Sequence, residues 1–453
     1  MFLKLLVACA LPVACAAAQP LDGVWRSRGY GYVFEVHGPE WRTFEVTTET
    51  CVAGFTAKGA PGPETTFKSN EGDSFLVRPG GSVDRKLVHF DGTASDIRID
   101  RLSRMPAVCD RPTANTPLGN FEVFTRTWAE NYISFDLKHA DWNQIVAANR
   151  LKVTHETTPV QLFDILEAMI RPFGDAHTGI YAPKLKRQFE GIRPGTDRRV
   201  KGGFDKFEKH GTRPLLAVTE SAYLHGRLRK FCNGQIQYGH VDNATGYLRI
   251  LAFGAYSKHG GFAAGLSALE AALDAIFADP GLKALVIDVR INFGGDDPLG
   301  LAVASRLATS EYLAFTKQAR ADPIDRNKWT PGDPSLVRPS SRPRFQGPAV
   351  ALIGPLTVSA GETFTQALMG RAPHITRIGE NTQGVFSDVL DRHLPNGWTF
   401  GLPNEVFRAP GGATFDGPGV PPDIAVPVFA DADVAAGKDP GMAKALDILR
   451  ARQ

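Results

Sequence analysis

Short alternating runs such as Tyr32-Val33-Phe34-Glu35-Val36 and Asp96-Ile97-Arg98-Ile99 put apolar side chains on one face at a period of two. Gly, Pro and Asn clusters separate them. The pattern predicts a small all-β module over residues 19–112. The period then lengthens: Phe121, Phe124, Trp128 and Tyr132 recur at spacings of three and four, as do Leu162, Ile165, Leu166, Met169 and Ile170. This predicts a helical subdomain over 113–190, with its aromatics in the core. Arg171-Pro172-Phe173-Gly174 ends the second helix and leads into a turn, Asp175-Ala176-His177-Thr178-Gly179. From Pro183 to Thr212 the chain is rich in Lys, Arg, Gly and Pro and reads as a mobile surface connection, part of a connecting segment over 191–245.

From Gly246 the pattern is that of an α/β unit running to the end of the chain. Tyr247 to Phe253 reads as a strand, Phe262, Leu266, Leu269, Leu273 and Ile276 as one helical face, and Ala284-Leu285-Val286-Ile287-Asp288-Val289 as a buried strand. A helix over Leu299–Leu307 follows. After a Pro-rich excursion, the strand Ala349–Ile353 leads through Gly354 to Glu362 into a helix ending near Met369, and a strand over Ile375–Ile378 closes the set. Repeated strand–helix units predict a mainly parallel sheet covered by helices.

Composition adds little to this picture. Hydrophobic residues make up 43% and charged residues 22%, as in ordinary globular proteins, and a net charge of +3 is too small to steer nucleic acid. The amino terminus adds more. A single Lys4, an apolar run from Leu5 to Val13 and the small residues Ala16-Ala17-Ala18 form a signal peptide over residues 1–18. The expectation is export across an inner membrane to the periplasm, with a lipid anchor at Cys9 or Cys15 as the alternative. No apolar run reaches the roughly 18–20 residues of a spanning helix. In the mature chain Cys51 and Cys109 bracket the β-rich segment and are the expected disulfide, with Cys232 a spare, partly buried thiol.

Ser359 stands between a buried strand and a helix, where an α/β sheet exposes reactive groups and a helix amino end favours a developing oxyanion. Taken alone, it could equally cap the helix, with Glu362 completing a capping box. Asn292-Phe293-Gly294-Gly295-Asp296 follows the strand ending Asp288-Val289-Arg290, and a glycine pair there leaves backbone N–H groups free to meet a substrate oxygen. His-Glu-x-x-His, Cys-x-x-Cys, phosphate-loop and Gly-x-Ser-x-Gly patterns are missing, so neither metal nor cofactor is expected. The β-module carries no His, Cys or carboxylate cluster assignable to chemistry.

Taken in order, three segments resemble the tail-specific, or C-terminal processing, peptidase family. Asp288 to Gly295 resembles its Asp-x-Arg-x-Asn-x-Gly-Gly signature, Thr357 to Glu362 its nucleophile turn, and Gly379-Glu380-Asn381-Thr382-Gln383-Gly384 its Gly-Glu-x-Thr-x-Gly loop. The resemblance implies a crotonase/ClpP-like catalytic core with Ser359 as nucleophile and the N–H groups of Gly295 and Ala360 as the oxyanion hole. The processing branch places a Lys where this chain has Val385. Its tricorn-like branch instead takes a His from the turn after the helical block, which here is His177. The same branch implies an acid shortly before Gly-Val-x-Pro-Asp; here that residue is Asp416, one methylene shorter than the usual Glu. Relatives often carry Ser where this chain has Ala176, and no peptide-tethering domain is evident. The expected partner is a protein or peptide substrate; the alternative is a non-catalytic peptide- or apolar-ligand-binding protein on the same fold.

Overall fold

A computed structural model describes residues 21–60, 64–193, 196, 211–224 and 228–452. The leader and its anchor alternative lie outside the described residues, as does most of the basic stretch before Thr212.

Eight antiparallel strands, from Gly23–Ser27 to Ile97–Leu102, pair each with the next, and the last pairs with the first to close a barrel. The alternation read from the sequence fills its interior: Trp25, Phe34, Trp41, Phe67 and Phe75 are all fully buried. The Trp41 ring lies 5.1 Å from that of Phe67 and 5.0 Å from that of Phe75. The barrel is therefore a packed core at its centre. Cys51 and Cys109 form a disulfide that ties the barrel strand Cys51–Gly59 to the turn Ala107–Asp110.

Three helices follow: Pro117–Asn131, Trp142–Arg150 and Pro159–Ile170. Each starts at a residue whose side chain accepts a backbone N–H of the first turn: Thr116, Asp141 and Thr158, the last with Gln161 in a capping box. Trp128 and Tyr132 are fully buried in an aromatic cluster with Phe124, Phe135, Trp142 and Phe173. Burying each such ring contributes on the order of 2–3 kcal/mol.

The sheet of the α/β unit has seven strands in the order Arg229–Phe231, Ile236–His240, Thr245–Ile250, Ala284–Asp288, Ala349–Ile353, Thr376–Gly379, Ile424–Ala425. The last five are parallel and the first two antiparallel. The sheet thus begins earlier than the sequence pattern suggested: the segment read as a connection supplies the helix Thr212–Tyr223 and the first two strands of the sheet, which were too short and polar to signal themselves. Alternate side chains of one strand serve opposite faces. Leu285 and Ile287 pack under the helices Gly261–Phe277, Asp297–Ser305 and Ala360–Leu368, while Ala284 and Val286 meet Met442, Leu446 and Leu449 of the carboxyl-terminal helix Pro440–Arg450.

A smaller sheet, in the order Arg187–Glu190, Gly179–Ala182, Thr399–Pro403, Val389–His393, joins the helical block to the α/β unit. It was not foreseen. Part of what read as a surface connection is a strand of it.

Candidate active site

Two chain segments leave the carboxyl ends of adjacent parallel strands in step. Asp288 is opposite Leu352 in the sheet, and a second short parallel pairing sets Ile291 opposite Leu356 and Asn292 opposite Thr357. Equal advance along both segments brings Gly294 beside Ser359. A Cβ on Gly294 would sit 2.7 Å from the Ser359 Cβ and 3.2 Å from its Oγ, so only glycine fits at this contact, where φ is +78°. The Asn292 side chain holds the turn: its Nδ2 donates to the Ile250 carbonyl at 2.9 Å and its Oδ1 accepts from Gly294 N–H at 3.0 Å.

Ser359 has φ 53° and ψ −120°, a conformation L-residues rarely adopt. The strain is held from below by Glu362. Its Oε2 accepts from Ser359 N–H at 3.3 Å and from Val385 N–H at 2.7 Å, and its Oε1 from the Thr382 hydroxyl at 2.6 Å and from Gly384 N–H at 2.5 Å. Glu362 is fully buried, and burial pushes its carboxyl up to about 7 against those hydrogen bonds. The capping role read from the sequence is therefore a small part of what this side chain does: it clamps the loop Thr382–Val385 onto the Ser359 turn. Among the described residues, neither Gly295 N–H nor Ala360 N–H is taken by a protein acceptor, whereas the flanking Gly294 carbonyl and Asp296 N–H both bond to Phe253 at 2.7 Å.

Asp288 and Arg290 of the signature are structural. Buried Arg290 donates to Asp288 Oδ2 at 2.7 Å and to Asp439 Oδ1 at 2.7 Å, tying the sheet to the carboxyl-terminal helix.

The His177 turn is built from the helical block. Gly174 takes the left-handed conformation (φ 54°) that ends the preceding turn, and buried Asp175 accepts from the Tyr132 hydroxyl at 2.8 Å and from His177 N–H at 3.1 Å. His177 lines a cavity of about 370 Å³ over the smaller sheet, and its Nδ1 is buried without a hydrogen-bond partner among the described residues. Burial lowers its pKa from the ordinary value, opposed by the charges of Asp175 and Asp388 and by the Ser387 backbone. The segment Val385–Asp388 links the two groups: Val385 is bound to the Glu362 clamp under Ser359, and Ser387 faces the imidazole.

Asp416 lies elsewhere than expected. Its Oδ2 accepts from the Ser134 hydroxyl at 3.3 Å and its Oδ1 from Phe386 N–H at 3.4 Å, and among the described residues no hydrogen bond or ion pair joins it to His177. Burial and the nearby Asp175 charge push it up to about 6. The shorter Asp side chain meets the backbone beside Ser387 instead of the ring. Cys232 is a buried free thiol pushed up to about 11, unsuited to act as a nucleophile.

Sequence reasoning missed a third group of residues. Buried Lys317 pairs with Asp388 and, at 3.1 Å, with Glu405, whose Oε1 accepts from the Tyr30 hydroxyl of the barrel at 2.6 Å. Burial, helped by the Asp388 charge and opposed by Lys317, pushes Asp297 up to about 7; this residue begins the helix after the glycine pair and accepts from Thr363 of the Ser359 helix at 2.7 Å. These residues are far apart in sequence and match no motif; only the fold gathers them. Among the described residues no His, Cys, Asp and Glu group could hold a metal ion.

Residues 244–426 match the profile of Peptidase family S41. No curated protein matches the chain significantly. Among solved structures, a protein from Parabacteroides merdae ATCC 43184 that carries a provisional peptidase assignment is 24% identical, with TM-score 0.58, covering 74% of this chain and 97% of that one. Mature CPAF complexed with lactacystin is 13% identical, with TM-score 0.52, covering 74% and 97%. These likenesses concern the fold. No helix among the described residues is long and apolar enough to cross a membrane. The three signature segments all lie inside residues 244–426, the part of the chain that is similar to peptidase family S41.

Proposed function

We propose that the protein is an exported serine peptidase in which Ser359 attacks the substrate carbonyl and His177 is its general base. The observation that carries this reading is the contact of Gly294 with Ser359, which aims the strained serine across an N–H pair left without acceptors. His177 takes the Ser359 proton, Gly295 and Ala360 hold the oxyanion, and the amine leaves with that proton. Water then hydrolyses the acyl-enzyme. Ser359 and His177 are not hydrogen-bonded to each other here, and bonds of this kind commonly tighten only in the substrate complex. Asp416 serves as a positioning residue, acting through the Phe386–Ser387 backbone.

Burial supports a neutral imidazole near neutral pH, the form a general base needs. The disulfide and the leader sequence support export.

The test is labelling of purified protein with a fluorophosphonate, with cleavage of an unstructured protein followed by mass spectrometry. The parent is expected to label and cleave, while Ser359→Ala and His177→Ala each lose both by at least about 10³-fold. A folded parent that does neither returns the chain to the ligand-binding alternative.

A further inference from the structure

The β-barrel lies outside the residues matched to the family, yet it forms one wall of a cleft beside the candidate site. We propose that this cleft binds a Lys or Arg side chain of the peptide substrate, which makes the barrel a recognition element of the peptidase; the proposal rests on the peptidase reading above. The cleft encloses about 290 Å³ between the barrel and the strand Val389–His393. That strand is the outermost of its sheet, and its outer edge is tied to the barrel by His393 N–H donating to Glu45. Val389 and Asp391 line both this cleft and the cavity over His177, so the two spaces share a wall. On the other side the barrel reaches the oxyanion turn: a Cβ on Gly92 would lie 2.7 Å from Asp296 Oδ1, one residue past Gly295. An occupant of the cleft therefore lies within a few residues of a bond held at Ser359.

Its walls suit a long cation. Phe55 and Phe90 bring aromatic rings to the cleft beside Tyr32, whose ring already carries the Arg392 guanidinium at 4.2 Å, and exposed Asp73, Asp91 and Asp391 line it as well. Of the two cationic groups lining the cleft, Lys317 is taken by Asp388 and Glu405, and His393 by Glu45 and Glu71. The three exposed carboxylates form no ion pair among the described residues. Deeper in, Glu405 is 2% exposed, with its Oε2 paired to the Lys317 ammonium at 3.1 Å and its Oε1 bonded to the Tyr30 hydroxyl. A Lys or Arg stem can lie over the rings with its charged end at the exposed carboxylates, the arrangement such side chains take on amphipathic surfaces. An acidic side chain there meets the like charge of Asp73 and Asp91.

The experiment uses the full mature chain carrying Ser359→Ala, so that binding is read without cleavage. Fluorescent peptides that differ only in Lys, Gln or Glu at one position, scanned along the peptide, are titrated at low and high salt. At one position Lys is expected to bind about tenfold tighter than Glu, and Asp73→Asn with Asp91→Asn is expected to reduce that preference about fivefold, as is salt. The double variant's thermal midpoint is measured alongside, and the Lys-to-Gln ratio is compared within that one protein, so a partly unfolded fraction cancels. Equal binding of Lys and Glu at every position, or a preference untouched by the double variant, overturns the proposal. Cleavage of any peptide by the parent shows separately that the peptidase reading stands.

Discussion

At the scale of single residues, the Gly294–Ser359 contact leaves no room for a side chain. Gly294→Ala places a methyl 2.7 Å from the Ser359 Cβ and also asks alanine to take φ +78°. The serine must move, and a displacement of about 1 Å costs on the order of 10²-fold in rate. Steady-state kinetics should show that loss in kcat/KM with near-parent circular dichroism; a loss below fivefold would show that the contact does not set the nucleophile. His177 carries a second prediction. Catalysis needs the neutral ring, and burial lowers its pKa, so the acid limb of the kcat/KM profile should fall below the ordinary histidine value of 6.5. Asp388 opposes that shift by favouring the imidazolium. Asp388→Asn therefore moves the acid limb to still lower pH; a move to higher pH contradicts the assigned geometry.

At the scale of elements, the nucleophile helix is fixed to the following loop by one carboxylate. In Glu362→Gln the amide nitrogen replaces one carboxylate oxygen. Two donors, either Gly384 N–H and the Thr382 hydroxyl or the N–H groups of Val385 and Ser359, then face a donor. Each unsatisfied buried donor costs about 1–3 kcal/mol, so urea unfolding should show a loss of about 3 kcal/mol, together with slower fluorophosphonate labelling. An unchanged midpoint would remove Glu362 from its role as clamp. These elements also divide what the sequence made readable from what it did not. The strands Ala284–Asp288 and Ala349–Ile353 are buried on both faces and read as unbroken apolar runs, and the glycine pair and the Ser359 turn sit at their ends. The strands Arg187–Glu190, Arg229–Phe231 and Val389–His393 are short edge strands with polar residues, and their partners stand far away along the chain, so no local pattern marks them. Asp416 was chosen by its distance from a Pro-Asp stretch, but side-chain length and backbone path decide what a carboxylate touches.

At the scale of the whole molecule, polar and charged contacts between the barrel and the α/β unit include Arg98 with Asp333, Tyr30 with Glu405, and His393 with Glu45 and Glu71. Of these, the His393 clamp is built on an imidazole. His393 Nδ1 lies 2.7 Å from Glu45 Oε1, and its N–H donates to Glu45 Oε2 at 2.7 Å. The Glu45 hydrogen bond raises its pKa, with burial opposing. A histidine raised in the folded state contributes stability that is fully present below about 6.5, its unfolded value, and is lost as pH rises through the folded value. His177, lowered by burial, works the other way: its penalty grows as pH falls below about 6.5. The two act in different places, and hydrogen exchange separates them. On going from pH 6 to pH 9, with intrinsic exchange rates corrected, amides in Glu40–Val46 and Val389–His393 should lose protection while the fully buried strand Ala349–Ile353 keeps it. In His393→Gln the pH dependence of that protection should vanish at both segments. If it persists unchanged, another group titrates the contact and the barrel is not held by this clamp; if it vanishes, the wall of the substrate cleft itself loosens with rising pH, because Glu45, Glu71 and His393 all line it.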